Sequence, residues 1–382
     1  MEKVRVAIAM SGGVDSSTAA AILKEEGFDL VGFSMQLWDQ RRSSSNGDEL
    51  KAGRCCSIDD LYDAREVAAR LGIPYYVVDF QKEFERTVVR DFIENYRMGL
   101  TPSPCVLCNS LMKFSHLVHL AKEAGASRVA TGHYARVSHN EKNGRNLLLK
   151  ACDEDRDQSY FLFELSQSQL AMAMFPLGNM AKDQVRQIAR KYKLPVADKP
   201  DSQEICFIPD GNYAAFVERH FGEIVGSQIA QPFSAGQIVD TAGRILGTHS
   251  GIHHYTIGQR RGLGIAHSSP LYVLELNPED NTVVVGERSL LGRRQCHVMR
   301  TNWVSIPSLT EPLRVRAKIR SRHTAAPATI KPLDDDSVDV LFDVPQAGIS
   351  PGQACVFYQE ETVLGGGWIS RFSRSLCRGE KV

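Results

Sequence analysis

Two hydrophobic periods alternate along the first two hundred residues. Residues 4–10 (VRVAIAM) form a short, largely apolar run that predicts a strand, and residues 16–27 then read as a helix ended by Gly27. Residues 30–35 predict a second strand, followed by a polar stretch, 39–53, whose composition suggests mobility. Ser57 and Asp60 make an S-x-x-D capping box for a helix with apolar positions Leu61, Ala64, Val67, Ala68 and Leu71, closed by Gly72. A strand at 75–80, a helix over 83–97, a Pro-rich loop at 101–104, a helix over 109–124 and a strand at 128–131 complete the series. The 109–124 helix places Leu111, Phe114, Leu117 and Ala121 on one face. Strands alternating with helices predict an open parallel α/β sheet, in which ligands sit at the carboxyl ends of the strands. The segment 11–17, Met35 and Gly132-His133 all fall at such ends.

Beyond Cys206 the texture changes to short apolar runs punctuated by glycine, such as 238–239, 269–276 and 282–285, and the remainder reads as β-rich. Prolines 307, 312, 327 and 332 fall between further short strands, consistent with a small C-terminal barrel or sandwich.

Composition narrows the class. The 382 residues are 43% hydrophobic and 24% charged, with 45 Lys plus Arg against 45 Asp plus Glu. A balanced charge excludes a global field for nucleic acid, so any such binding must use a local patch. No apolar stretch approaches the roughly 20 residues needed to span a bilayer. Nine cysteines without secretory features argue for reduced thiols and a cytoplasmic setting.

Residues 11–17 read SGGVDSS between the first strand and helix. Two glycines, three serine hydroxyls and a helix N-terminus suit a phosphate cradle, although an ordinary strand-to-helix turn uses the same residues. Asp15 would repel a phosphate unless a cation lay between them, which suggests Mg²⁺. Cys105-Val106-Leu107-Cys108 follows two prolines and precedes a helix, where a helix dipole activates thiols; its alternatives are a structural thiol pair or half of a zinc site whose other two ligands are Cys55 and Cys56. Cys206 reads either as a small buried hydrophobe or, folded onto Cys108, as half of a redox pair. Residues 313–323 (LRVRAKIRSRH) place Arg314, Arg316, Lys318, Arg320 and Arg322 on one face of a strand, an arrangement that favours a nucleic-acid backbone over a solvated face. The basic, glycine-rich 255–264 (YTIGQRRGLG) reads as a hairpin or as a further phosphate-backbone contact. Residues 156–160 (RDQSY) suit either base recognition or a polar helix approach.

Taken together, SGGVDSS, TPSPCVLCN, ATGHYA, RDQSYFL, DSQEICFIP and YTIGQRRGLG closely resemble the tRNA-specific 2-thiouridylases of the MnmA type, in the family's order and over most of the chain. The resemblance implies an N-terminal Rossmann-like PP-loop ATPase domain with a parallel sheet (1–207), a small central domain (208–286) and a C-terminal, tRNA-binding β-barrel (287–382). It implies ATP-dependent replacement of the C2 oxygen of the wobble uridine of tRNA by sulfur, through adenylation of that oxygen. ATP would lie against Ala9, Met10, Ser11, Gly12, Gly13, Val14, Asp15, Ser16, Ser17, Met35 and Gly132, with Asp15 toward Mg²⁺. Cys206 would carry a persulfide from a cysteine desulfurase or sulfur relay protein. Cys108 would be the partner nucleophile that forms a disulfide with it. Ser103, Pro104, Cys105, Arg156, Asp157, Gln158, Arg320 and Ser321 would face the target base and tRNA. Some members carry Asp at the position of Cys105, and many carry Tyr at that of Ser321. An iron–sulfur cluster on Cys105, Cys108 and Cys206 is the alternative use of the same thiols.

Overall fold

The computed structural model describes residues 3–39, 58–201, 205–208, 210–226 and 233–371. These fall into two compact units, one comprising 1–91, 104–216 and 361–363, the other 92–103, 217–360 and 364–382.

The first unit is built on a parallel sheet. β1 (Arg5–Ala9) leads through the SGGVDSS loop to α1 (Val14–Glu25), then β2 (Asp29–Gln36), α2 (Ile58–Leu71) and β3 (Tyr75–Asp79). A helical run follows: α3 (Gln81–Phe84), a π turn (Glu85–Val89) and α4 (Arg90–Arg97), which from Phe92 on belongs to the second unit. Next come α5 (Pro104–Leu107), a π segment (Cys108–His116) and α6 (Leu117–Glu123). β4 (Arg128–Ala130), a hairpin of β5 (Ala135–Asn140) and β6 (Arg145–Lys150), α7 (Gln167–Met172), β7 (Ala173–Met174) and α8 (Lys182–Lys191) finish the series. The strand order is β3-β2-β1-β4-β7, every pair parallel. β1 is central, so Val6, Ala7 and Ile8 are fully buried, and the apolar run read from the sequence is what covering both faces of a strand demands. Ala19, Ala20 and Ala21 are small enough to bring α1 close against the core that holds Ile8 and Met10. The expected open α/β sheet is present, with helix and strand ends displaced by a residue or two.

The stretch 40–57, which holds most of the polar segment, Cys55-Cys56 and the capping Ser57, lies outside the described residues. Two expectations are corrected. The helix carrying Cys105 and Cys108 begins at Pro104, not at 109, so the cysteines lie within its first turns. Its buried face also differs from the one expected: Leu111 is exposed and Met112 takes its place beside Phe114 and Leu117. A π segment bonds i to i+5, so its wider turn carries the apolar face out of the ordinary helical period.

After Cys206 the chain is not wholly β-rich, because α9 (Tyr213–Ile224) intervenes. Asn212 Oδ1 caps it by accepting from the Ala215 N–H at 3.1 Å, and Phe216, Val217 and Phe221 are buried. The second unit then forms two sheets. β8 (Gly236–Val239), β9 (Ile245–His249), β10 (Tyr272–Asn277) and β11 (Thr282–Gly286) pair in the order β10-β11-β8-β9 around Ile238, Val273 and Val283. β12 (Gly292–Trp303), β13 (Leu313–Lys318), β14 (Ala326–Pro332), β15 (Ser337–Ala347), β16 (Ala354–Gln359) and β17 (Thr362–Ile369) run β12-β15-β14-β13-β16-β17. Pairing of β12 with β17 closes them into a barrel. Its interior is apolar, with Val298, Ile330, Val340, Phe342 and Phe357 at or near zero exposure. The barrel was expected; α9 was not.

Candidate nucleotide and thiol site

The SGGVDSS loop emerges from the carboxyl end of β1, held by the Met10 N–H on Phe33 O at 2.8 Å. Gly12 adopts φ +72°, and a Cβ there would stand 2.2 Å from the Asp60 carbonyl oxygen, so only glycine fits. Ser16 Oγ accepts from the Ser11 N–H at 3.1 Å and lies 3.3 Å from Gly13 O, which fixes the curve of the loop. Ser17 Oγ is buried with no hydrogen-bond partner among the described residues. Gly132, just past β4, presses on the start of α1: a Cβ there would lie 2.6 Å from Ser16 N and 2.8 Å from Asp15 C. Gly132→Ala must push backbone against backbone, so it is expected to cost about 1–3 kcal/mol of stability and to weaken ATP binding. Gly13→Ala, whose Cβ would meet only Ser11 Oγ at 3.5 Å, should cost far less in the same denaturant titration.

Asp15 has the cation its position demands, and that cation is a lysine. Lys182 Nζ, on a side chain only 9% exposed at the start of α8, lies 2.7 and 2.9 Å from the two Asp15 carboxylate oxygens. The same ammonium is 2.7 Å from Asp201 Oδ1, and Arg156 and Arg186 bind Asp201 at 2.7 and 3.3 Å. Burial acts to raise the Asp201 pKa, but the hydrogen bond and charge of Lys182, aided by both arginines, prevail and lower it. Tyr134 donates its hydroxyl to Asp15 Oδ1 at 2.9 Å; burial first, then Asp15 itself, push the phenol pKa up, so it stays a donor. A second lysine anchors the loop from the other side. Lys199 Nζ donates to Gly12 O at 3.0 Å and to Asp60 at 2.6 Å, and also binds Asp63. Burial works against the Lys199 charge, yet its bonds to Asp60 and Asp63 raise its pKa. Sequence reasoning did not single out Lys182, Lys199 or Tyr134.

The other expected residues divide. Met35 is half-buried at the end of β2. Cys105 is exposed, Cys108 is buried on the same helix and Cys206 is half-buried. Asn109 and Ser110 fasten that helix, through Nδ2 to Phe161 O at 3.1 Å and Oγ to Glu164 at 2.7 Å. Of the RDQ triplet, Arg156 reaches the charged network. Asp157 accepts from Ala151 N, Ser159 N and Ser159 Oγ, and Gln158 accepts from Tyr134 N at 2.9 Å. Tyr160 is buried against Phe161 and packs the core, so its ring is not offered to a base.

In the second unit, Ser103 ends a loop whose Thr101 N–H donates to Pro351 O at 2.8 Å, while Gln353 Nε2 donates to Thr101 O and Pro102 O. The five-cation strand face is corrected. β13 ends at Lys318, so Arg320 and Arg322 lie in the turn beyond it. Arg314 is held bidentately by Asp343 at 2.8 and 2.7 Å, Arg316 donates to Ala325 O, and Arg320 donates to Ala347 O at 2.9 Å. The row's mutual repulsion is thus relieved by a carboxylate two strands away and by carbonyls. Ser321 is exposed beside Arg320. Residues 255–264 form successive turns rather than a hairpin, with Gly258, Gly262 and Gly264 at positive φ and Arg260 and Arg261 exposed.

Metal-ligand geometry is sparse. Among the described residues, one set of three His, Cys, Asp or Glu side chains brings its ligand atoms within 4.8 Å: Glu218, His253 and His254, in the second unit and already hydrogen-bonded at 2.9 and 3.1 Å. Both carboxylate oxygens of Asp15 are engaged by Lys182, and Oδ1 also accepts from Tyr134. Cys55 and Cys56, which the zinc alternative required, are outside the described residues.

Comparison with known proteins agrees with this architecture. Residues 4–210 match the tRNA methyl transferase HUP domain, 227–287 the tRNA methyl transferase PRC-barrel domain, and 293–369 the aminomethyltransferase beta-barrel domain. Among solved structures, the U34-tRNA thiolase NcsA from Methanococcus maripaludis with its [4Fe-4S] cluster is 16% identical over 58% of this chain and 66% of that one, with a TM-score of 0.32. The tRNA-specific 2-thiouridylase MnmA of Koribacter versatilis is 50% identical over 95% of this chain and 98% of its own. That of Solibacter usitatus is 50% identical over 97% of this chain and 100% of its own. Identity of this depth over nearly the whole length of both proteins, on a parallel-sheet domain with this loop and a closed barrel, places the chain in the MnmA family of tRNA-specific 2-thiouridylases.

Proposed function

We propose that the protein replaces the C2 oxygen of the wobble uridine of tRNA by sulfur, in two steps at the carboxyl end of the parallel sheet. The uridine oxygen attacks the α-phosphorus of ATP, forming an O–P bond and releasing pyrophosphate. The terminal sulfur of a persulfide on Cys206, supplied by a cysteine desulfurase or a sulfur relay protein, then attacks C2 and expels AMP. Cys108 attacks Cys206 Sγ, which breaks its bond to the transferred sulfur and leaves a Cys108–Cys206 disulfide for an external thiol to reduce. The observation that carries this reading is the presence in one compact unit of the fixed anion loop with its charged Asp15–Lys182–Asp201 support and the two cysteine segments.

The loop 11–17 takes the phosphates, with Ala9, Met10, Met35 and Gly132 toward the nucleoside. Mg²⁺ bound with ATP would neutralise phosphate charge, and Asp15 would be the carboxylate nearest to it, sharing its oxygens with Lys182 and Tyr134. Ser103, Pro104, Cys105 and the 156–158 segment serve the target nucleotide, which must leave its stack to be reached; Arg320 and Ser321 serve the tRNA. Cys105 and Cys108 occupy unlike surroundings, one exposed and one buried, which favours separate thiols over a shared iron–sulfur cluster. Among the described residues no helix is long and apolar enough to cross a membrane.

The test is sulfur transfer from a persulfide donor to unmodified tRNA. With ATP, nucleoside analysis should show 2-thiouridine in place of uridine, with one AMP and one pyrophosphate per sulfur. A product bearing a methyl group, or thiolation without ATP, overturns the reading. Anaerobic purification should yield protein without stoichiometric iron and sulfide.

A further inference from the structure

The segment after β4 carries His133, which holds a further cation of the first unit, Lys113. His133 is 9% exposed; its Nδ1 lies 2.7 Å from Thr131 Oγ1 and its Nε2 3.4 Å from Lys113 Nζ. An ammonium only donates, so Nε2 must be the acceptor and the imidazole proton sits on Nδ1, donating to Thr131 Oγ1. Burial, and then the Lys113 charge, hold the His133 pKa well below its ordinary value, so the ring stays neutral. Phe114 and Phe175 flank the ring at 6.4 and 6.0 Å. The hydrogen-bond partner of the Lys113 ammonium is thus a neutral ring nitrogen, and among the described residues no carboxylate forms an ion pair with it.

Its placement points at the reaction. Gly132, adjacent to His133, touches Asp15 and Ser16 of the phosphate loop. Lys113 itself belongs to the π segment that starts at Cys108, and residues five apart in a π helix lie one turn apart on nearly the same side. The cation is thus tied on one side to the nucleotide loop and on the other to the thiol helix.

We infer that Lys113 is a catalytic residue that contacts the α-phosphoryl group of ATP as pyrophosphate leaves, and the departing AMP oxygen as sulfur displaces it, with His133 as its positioning residue. This rests on the thiolation reading. Lys113 contributes charge alone: the O–P and C–S bonds formed, and the P–O and C–O bonds broken, are those of the proposed reaction, and no proton passes through it. A cation serving charge that develops in the transition state affects turnover more than substrate affinity.

The experiment is tRNA-dependent pyrophosphate release by the full chain, followed against ATP concentration for wild type, Lys113→Met, Lys113→Arg, His133→Gln and His133→Leu. Lys113→Met should lower kcat by about 10²–10³-fold, with the ATP KM changed less than about 5-fold. Lys113→Arg should recover to within about 10-fold of wild type, and His133→Gln, whose amide oxygen still accepts from Lys113, should outperform His133→Leu. Circular dichroism establishes that each variant is folded; Lys113→Arg and His133→Gln keep the test decisive if the larger changes unfold the chain. Equal losses in Lys113→Met and Lys113→Arg, or a loss confined to KM, overturn the assignment. Normal release by both wild type and Lys113→Met sinks it alone, whereas no tRNA-dependent release by wild type sinks the thiolation reading and the assignment together.

Discussion

Cys108→Ser and Cys206→Ser should each lower 2-thiouridine formation by at least about 10³-fold while leaving tRNA-dependent pyrophosphate release within about 3-fold of wild type. The sulfur-carrying form is a persulfide, which needs a cysteine sulfur, and the attacking form is a thiolate; a serine hydroxyl at either position supplies neither at neutral pH. Adenylation uses neither group, so the first half-reaction should survive and adenylated tRNA or its hydrolysis products should accumulate. The two variants should differ in one respect. Incubated with radiolabelled persulfide donor, Cys108→Ser should retain label on the protein, and Cys206→Ser should not. Cys105→Ser is the control on the same helix: its thiol is exposed where that of Cys108 is buried, and its replacement should cost less than about 10-fold. Full thiolation by either Cys108→Ser or Cys206→Ser sinks the proposed sulfur path.

The sequence made the sheet legible for a physical reason. A parallel strand covered on both faces must be apolar throughout, and residues 4–10 and 30–35 are close to that, with glycines at 27 and 72 ending the helices between. The barrel was legible as alternation, since Val315, Ala317 and Ile319 point inward between cations. What the alternation could not convey is where each charge finds its partner. Arg314 is neutralised by Asp343, 29 positions along the chain and two strands across the sheet, a relation that exists only once β13, β14 and β15 have paired. The thiol helix was misread for a local reason: its π segment departs from the period used to assign its face, so Leu111 and Met112 exchanged places. At the nucleotide loop, the sequence posed the right question. An acid at position 15 demanded a cation; the answer, Lys182, lies 167 positions away and carries no motif that distinguishes it from the other lysine of α8, Lys191.

Lys182→Met should raise the ATP KM by about 10–100-fold and destabilise the first unit by about 1–3 kcal/mol. The ammonium is the shared partner of Asp15 and Asp201, and the methionine that replaces it fills much of the space but leaves Asp15 without a cation and Asp201 with only Arg156 and Arg186. Removing one member of a fully buried pair costs about 3–5 kcal/mol. Asp15 and Asp201 are 31% and 22% exposed, so water takes up part of their charge and the smaller figure applies. The effect on ATP has a separate origin: without Lys182, the uncompensated Asp15 turns a loop built to receive phosphate into one that repels it. The two effects separate in the double variant Asp15→Asn with Lys182→Met. Removing both charges should return much of the stability in a denaturant titration, because no carboxylate is then stranded at position 15. It should not return ATP affinity if Lys182 also meets the phosphates directly, since the loop then lacks the cation as well as the acid. Full recovery of both in the double variant would reduce Lys182 to a counterion for Asp15, and an unchanged KM in Lys182→Met would remove it from the nucleotide site.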